Sequence, residues 1–471
     1  MSSVVETDAG DDASAPGAPG TPGTPGAGAA PRRIELSIWQ LAWPTAASMI
    51  MASSVQMIDF LMIGSLGGTA LAAMGMGMQV HFLQFGVFAA VSMGTVALVA
   101  RAVGAGDLPE AERLLQVSVV VTAVLGCLCM LAIPMAEPLI GLFGVEDEVR
   151  RGAAVYLRIM LMASIPMGMG LIFFSALRGA GDVIRPLWVG LFMNLLNVLG
   201  NYMLIFGHWG APRLGVAGAA YATALSMAAG MLMTMVLWRS GWLIIKPGRL
   251  GEGVSWDRAR RLLRVGIPSA MESAVFDVGL LVFTAYIAEF GTAAISAYFI
   301  GTRVLMFSFV PGVAYQMAAS TLVGQNLGAG QPQEARRAGW RALRSALVAM
   351  SITGLTLALL ARPITSMFGA TGAQTVELSV AFIYILAAAQ PMMAFDFALG
   401  GALRGAGDTR FPLLAVFTGL AGVRLGLVWV AMTFFDVSIT TVWSFLLLDY
   451  TTRAVMLAAR YRGDRWQHIE V

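Results

Sequence analysis

The sequence predicts an all-α polytopic membrane protein. Twelve transmembrane helices are expected, in two six-helix bundles related by a pseudo-twofold axis along the membrane normal. Three observations carry this. Hydrophobic residues make up 58% of the 471 and charged residues only 12%, about half the charge of an ordinary soluble domain. Apolar runs of about 20 residues, long enough to cross a bilayer, recur from residue 40 to residue 460. The phrase ALRGAGD stands at 176–182 and again at 402–408.

Other phrases recur at nearly the same distance. GAGDLPEAERL (104–114) is echoed by GAGQPQEARRA (328–338), and LFG (142–144) by MFG (367–369). Pro44 of LAWPTAA is matched by Pro268 of VGIPSAM. A repeat of this length, far beyond solenoid periods, is a whole fold duplicated. Each copy carries six spans, and an even count brings both copies into the bilayer the same way round. Their symmetry axis then runs along the membrane normal, as in parallel transporter repeats.

In chain order, residues 1–33 begin acidic (Glu6, Asp8, Asp11, Asp12) and continue as GAPGTPGTPGAGAAPRR. No apolar stretch typical of a signal peptide is present there, and the Pro/Gly/Ala bias cannot pack a core. A disordered cytoplasmic tail is expected. The first bundle, 34–238, contains spans at 40–64, 75–101, 114–136, 153–176, 186–206 and 216–238. A basic cytoplasmic linker, 239–261, leads to the second bundle, 262–460. Its spans are 262–289, 294–323, 339–361, 378–402, 411–434 and 437–460, before a C-terminal tail at 461–471. Cys127 and Cys129 would point about 200° apart on a helix, which argues against a mutual disulfide.

Lys and Arg orient the spans. The loops holding Arg32, Arg101, Arg113, Arg178, Arg185, the cluster from Arg239 to Arg264, Arg336–Arg344, Arg404, Arg410 and Arg460 all fall on one side. About 22 of the 30 basic residues lie there, and the acidic loop VEDEV (145–149) falls on the other side. Both termini are therefore expected in the cytoplasm, with the protein in the cell (inner) membrane.

The duplicated phrase reads as helix punctuation at two cytoplasmic turns. Arg178 and Arg404 complement the negative C-terminal ends of the preceding helices. Gly179 and Gly405 suit the left-handed position that stops a helix. Asp182 and Asp408 are placed to cap the next helix, with Pro186 and Pro412 near its first turn.

ALRGAGDxxxP in both halves, VGQNLGAG at 323–330 and twelve spans in two halves resemble the multidrug and toxic compound extrusion (MATE) transporters. The resemblance covers about residues 34–465. It implies a V-shaped pair of bundles around a central cavity, and export of organic cations or other amphipathic compounds driven by inward Na⁺ or H⁺.

An ionisable side chain inside a span costs about 2.5–3.5 kcal/mol on insertion scales, so it should face protein or water. The embedded carboxylates are Asp59, Glu272, Asp277, Asp396 and Asp449, and the embedded arginines are Arg303, Arg424 and Arg453. The family has an aspartate at the position of Asp59. Asn197 and Asn201, in NLLNVLGNYMLIFG, share one helix face, and Thr223 lies in the next span. These four oxygen-bearing residues are the expected cation site. Sodium is a candidate at Asp59, Asn197 and Asn201, since oxygen ligands suit a hard cation, and a proton on Asp59 is the alternative.

In the second half, better-known family members place a glutamate eight residues after the proline of span 7. Phe276 stands there in this chain, with Glu272 at four and Asp277 at nine. Glu272, Asp277 and Asp396 are the expected substrate-binding residues. Asp449 and Arg453, four apart, form an expected structural ion pair that Arg424 joins. The many Met and Phe residues suit an adaptable cavity. His81, His208 and His468 show no ligand spacing, and His81 alone is a weak proton-carrier candidate. There is no P-loop, nucleotide fingerprint or nucleophile motif.

The expected function is a cation-coupled (H⁺ or Na⁺) antiporter exporting small amphipathic, cationic compounds by alternating access. It is not an enzyme and has no catalytic residue or cofactor other than the coupling ion. Its partners are a small-molecule substrate and the lipid bilayer, with no nucleic acid or nucleotide, and a monomer is expected. The alternatives are a lipid-linked saccharide flippase, which needs basic residues in its cavity, and an intramembrane enzyme or sensor.

Overall fold

The computed structural model describes residues 37–245, 251, 253–367 and 372–469. The expected N-terminal tail lies outside the described residues, as do parts of the 239–261 linker, Phe368 and Gly369 of the MFG echo, and the last two residues. Every regular element among the described residues is helical.

The first bundle contains α1 (Ile38–Gly64), α2 (Gly68–Gly104), α3 (Leu108–Met130), α4 in two halves (Asp147–Met162 and Ser164–Gly179), α5 (Ile184–Phe206) and α6 (Val216–Arg239). The second contains α7 (Trp256–Ala288), α8 (Thr292–Gly328), α9 (Pro332–Leu359), α10 (Ala373–Gly405), α11 (Arg410–Phe434) and α12 (Ile439–Arg462). Ten of these are individually long and apolar enough to cross a membrane, and the bent pair of α4 supplies an eleventh. α12 carries Asp449, Arg453, Arg460 and Arg462, which explains why apolar composition alone passes it over.

Local sequence sets the helix ends. Ser37 and Gln40 exchange backbone and side-chain hydrogen bonds of 3.0 and 3.1 Å, a capping box that starts α1. Asp107 accepts from the Glu110 amide at 2.9 Å to start α3, and Ser255 does the same for α7. α2 and α8 each run 37 residues, about 55 Å at 1.5 Å per residue. That exceeds the hydrocarbon core of about 30 Å, so both helices project beyond it.

Three spans differ from the sequence expectation. α3 stops at Met130, six residues before the expected end, and a separate short helix, Ala136–Gly141, follows it, as Ala361–Met367 follows α9. The fourth span bends by 54° between its halves. Pro166 has no N–H for the turn at the break, a common cause of kinks. α11 contains a π-helical stretch, Phe417–Leu425. At the linker, α7 begins at Trp256, so 256–261 belong to a helix. In the C-terminal tail, buried Trp466 stacks on Tyr461 at 4.5 Å.

The duplication extends to backbone conformation. Left-handed glycines end the matching turns in both copies: Gly67 and Gly291, Gly106 and Gly330, Gly181 and Gly407. The last pair corrects the reading of the repeated motif. After α4, the Gly181 amide donates to the Arg178 carbonyl and the Asp182 amide to the Leu177 carbonyl. Gly407 and Asp408 bond to Arg404 and Leu403 in the same way. This is the Schellman pattern, with the left-handed residue two positions later than expected. Gly179 and Gly405 are right-handed and serve close packing instead. A Cβ on Gly179 would lie 2.9 Å from the Val96 carbonyl of α2, and one on Gly405 would strike the Ser320 backbone of α8.

Both ALRGAGD turns lie on the same face. Thr321 and Gln325 of α8 donate to the Arg178 and Gly179 carbonyls at 3.0 and 2.9 Å, while Gly324 and Ser320 of the same helix abut Gly405. There the bundles meet through a symmetric contact. A Cβ on Gly104 would collide with the Gln325 carbonyl, and one on Gly328 with the Arg101 carbonyl. Further along the seam, α2 packs on α7 through Gly94 and Gly266, and α1 packs on α8. Gly328→Ala is expected to lower the thermal unfolding midpoint by an amount equivalent to about 1–3 kcal/mol, as overpacking does. Gly190→Ala, with no heavy atom within 4 Å of the added carbon, is the control, and equal effects would refute a packing role for Gly328.

Candidate functional site

In the first bundle α1 and α6 both pack on α5. That arrangement joins all four expected cation-site residues in one network. Asn201 Nδ2 donates to Asp59 Oδ1 at 2.5 Å and to Asn197 Oδ1 at 3.1 Å. Asn197 Nδ2 donates to Thr223 Oγ1 at 3.1 Å, and Thr223 donates to the Ala219 carbonyl at 2.9 Å. The one-turn spacing on α5 stacks the two amides, so one polar ladder links α1 to α6. Asn201 is fully buried and its Oδ1 has no partner. Asp59 is half-buried and forms no ion pair with any described residue.

The second bundle is built differently. Each buried carboxylate there is held by arginine. Glu272 of α7 pairs with Arg404 of α10, and both side chains are almost completely buried. Arg453 of α12 grips Asp449 through two bonds of 2.6 and 3.0 Å, and also reaches Asp396 at 3.3 Å. Arg424 of α11 closes on Asp449 at 2.6 Å. Its guanidinium lies over the Phe283 and Tyr450 rings at 5.5 and 5.6 Å, and that of Arg453 over Tyr450 at 4.8 Å. Gly419, inside the π-helical stretch, abuts the Asp449–Arg453 pair where a Cβ would collide. The wide turn and missing side chain thus let α11 sit against this cluster.

A cavity of about 290 Å³ opens beside the cluster. Its polar lining includes Glu272, Asp277, Asp396, Arg404 and Arg453. Its apolar lining includes Met93 of α2, Phe276, Phe309 and Phe397. Asp277 is exposed and has no hydrogen-bond or ion-pair partner among the described residues. The lining therefore carries three acids against two arginines, a net charge of −1 supplied by Asp277. Asp396 Oδ1 and Arg404 Nη1 are buried without partners, so one acceptor and one donor remain unused.

Sequence reasoning assigned Arg404 to helix punctuation. Its side chain turns inward instead, drawn by Glu272 four residues after Pro268. Arg178, its counterpart in the first copy, has no acid to meet, because Ser48 stands four residues after Pro44. Its Nη1 lies 2.9 Å from Met317 Sδ. Asp182 and Asp408 also diverge. Asp182 accepts from the Arg185 amide at 3.2 Å, near the start of α5, whereas Asp408 binds Arg460 of α12 at 2.8 Å. Arg303 is exposed on α8, and His81 Nδ1 lies 3.0 Å from Gln84 Oε1. No group of three or more His, Cys, Asp or Glu residues suited to a metal occurs among the described residues.

The MatE family profile matches residues 44–203 and 268–430, one stretch in each half. A probable multidrug resistance protein NorM of Thermotoga maritima is 29% identical over 92% of this chain and 93% of its own length. One from Rhodopseudomonas palustris is 30% identical over 90% of each chain, and the transporter YisQ of Bacillus subtilis is 24% identical over 91% of this one. Among solved structures, a MOP superfamily transporter from Pyrococcus furiosus superposes with a TM-score of 0.85 at 20% identity, covering 90% of this chain and 94% of that one. A MATE transporter of Vibrio cholerae gives 0.83 at 21% identity, covering 90% and 95%. With both halves matched at equivalent points and relatives aligned end to end, the chain belongs to the MATE family of multi-pass membrane transporters.

Proposed function

We propose that the protein is a cation-coupled antiporter that exports small amphipathic cations. One observation carries this reading. Of the five carboxylates embedded in the spans, Glu272, Asp396 and Asp449 are neutralised by arginines, while Asp59 and Asp277 are not. A carboxylate kept in a span without a basic partner is costly unless it binds something. Asp59, backed by the Asn197–Asn201–Thr223 ladder, is the site for the coupling ion, as a protonatable group or with Asn201 Oδ1 as an oxygen ligand for Na⁺. Asp277 gives the central cavity its net negative charge and draws the cationic substrate. Multidrug resistance proteins among the relatives support export.

The arginine-rich face belongs in the cytoplasm by the positive-inside rule, in the inner membrane, with both termini on that side. The bundles meet at that face through Gly104 and Gly328, which fits a state closed to the cytoplasm. Pocket polarity also bears on the substrate. The P. furiosus transporter is described by a reverse polarity of its binding pocket and a suggested different function. Here both cavity arginines are matched by acids, which disfavours the anionic headgroup of a saccharide flippase.

Proteoliposome transport with Na⁺ and pH gradients imposed separately tests the scheme. Export under neither gradient would refute ion coupling. Asp277→Asn should weaken binding of a cationic dye by at least roughly tenfold, about 1.4 kcal/mol, and leave a neutral analogue nearly unaffected. Equal losses for both would remove the charge role of Asp277.

A further inference from the structure

We propose that the pocket under the second ALRGAGD turn binds the phosphodiester headgroup of an anionic phospholipid. It measures about 540 Å³ and is lined by Arg264 of α7, Asp408, Arg410 and Phe411 at the start of α11, Arg460 of α12 and Ile469. None of the residues assigned above to the coupling ion or the substrate takes part.

The two copies of the motif differ here in a way that leaves charge unmatched. In the first, Asp182 holds Arg185 through both its carboxylate oxygens, at 3.2 Å from the amide and 2.5 Å from the guanidinium. In the second, Phe411 stands where Arg185 would be and the arginine moves one position earlier, to 410. Asp408 has turned away to Arg460 at 2.8 Å, and Arg460 lies over the Phe411 ring at 5.2 Å. Arg410 and Arg264 are both exposed, and neither side chain has a hydrogen bond or ion pair with any described residue. Three arginines against one aspartate leave a pocket charge of +2.

Position and shape choose the ligand. The pocket lies where α7, α11 and α12 reach the arginine-rich face, and basic pockets between spans on that side suit anionic headgroups. Leu414 and Phe417 of α11 are both exposed and lie three residues apart on one helix face. They lead from the pocket along the span, a path suited to an acyl chain that inorganic phosphate would not need. Occupancy also reaches the seam between the bundles. Arg101 of α2 donates to the Ile469 carbonyl at 2.8 Å and the Ala406 carbonyl at 3.3 Å, while its own carbonyl faces Gly328. A bound headgroup would therefore brace the closed arginine-rich face.

The test uses the full-length protein in detergent, with phosphatidylglycerol, phosphatidylcholine or inorganic phosphate added. Native mass spectrometry would count adducts, and thermal unfolding would be followed in parallel. Phosphatidylglycerol should bind and raise the unfolding midpoint where phosphatidylcholine and millimolar phosphate do not. The Arg264→Gln/Arg410→Gln variant should lose apparent affinity for phosphatidylglycerol by at least roughly tenfold, and Arg264→Lys/Arg410→Lys should retain most of it. Binding unchanged by the glutamine substitutions, or matched by phosphatidylcholine, would overturn the site. A shift reproduced by inorganic phosphate alone would overturn the lipid assignment. The wild-type comparison of lipids does not depend on either variant folding.

Discussion

Asp59→Asn is expected to bring substrate efflux driven by an imposed Na⁺ or pH gradient down to the level of vesicles without protein. Antiport requires the ion and the substrate to favour oppositely facing states, and a ligand shifts such an equilibrium only through differential affinity. Taking a two-state equilibrium from one extreme to the other needs about 5.5 kcal/mol of that difference. Asparagine neither titrates nor carries charge, so the first bundle would have no means of supplying it. The substitution is nearly isosteric, and its amide can still bond to Asn201, which at present donates to Asp59 at 2.5 Å. Expression and thermal stability should therefore stay close to wild type, and substrate binding should persist. Gradient-driven efflux in reconstituted vesicles decides the matter. Wild-type rates in the variant would reduce Asp59 to a packing residue.

The second large effect is expected on stability. Arg453→Met would take one of its two arginines from Asp449, which is fully buried, and leave Asp396 without its partner. Breaking a buried ion pair by removing one member costs about 3–5 kcal/mol. Arg424 remains on Asp449 and limits the loss to the lower part of that range. Replacing the whole cluster, as in Arg424→Met/Arg453→Met/Asp449→Met/Asp396→Met, should recover much of the stability, because apolar residues of similar volume commonly substitute for buried ion pairs. Arg453→Met/Asp449→Met should not, because it strands buried Arg424 as well as Asp396. Thermal unfolding in detergent is the measurement. If the single variant melts with the wild type, the cluster does not hold the second bundle together.

Several parts of the candidate site were readable in the chain. The one-turn spacing of Asn197 and Asn201 places both amides on one face, and the Asp449–Arg453 pair follows the same local geometry. Asp59 stood out as a carboxylate embedded in a span, with the family resemblance in support, and Thr223 as a hydroxyl in the span after the amides. The fold joins both to the amides through α1 and α6. The partners of Glu272 and Asp396 were not readable. Arg404 lies 132 positions from Glu272 and Arg453 lies 57 from Asp396, and no local period relates such residues. Their pairing depends on the relative depth and rotation of α7, α10 and α12. As a result the expected substrate charges at Glu272 and Asp396 are matched by arginine, and the unmatched charge falls on Asp277.

Composition and the recurrence of motifs determined by themselves the membrane class, the duplicated halves and the approximate positions of twelve spans. These depend on local chain properties: apolar length against bilayer thickness, and turn residues at fixed offsets. Only the tertiary structure decided where the copies part company. Ser48 or Glu272 after the matched prolines gives Arg178 a methionine neighbour and Arg404 a buried carboxylate. Arg185 or Phe411 after the matched turns gives one bound aspartate and one open basic pocket. The two halves share a backbone plan, but a side chain's charge is settled by what the neighbouring helices bring within reach, and those neighbours lie too far along the chain for any local pattern to specify.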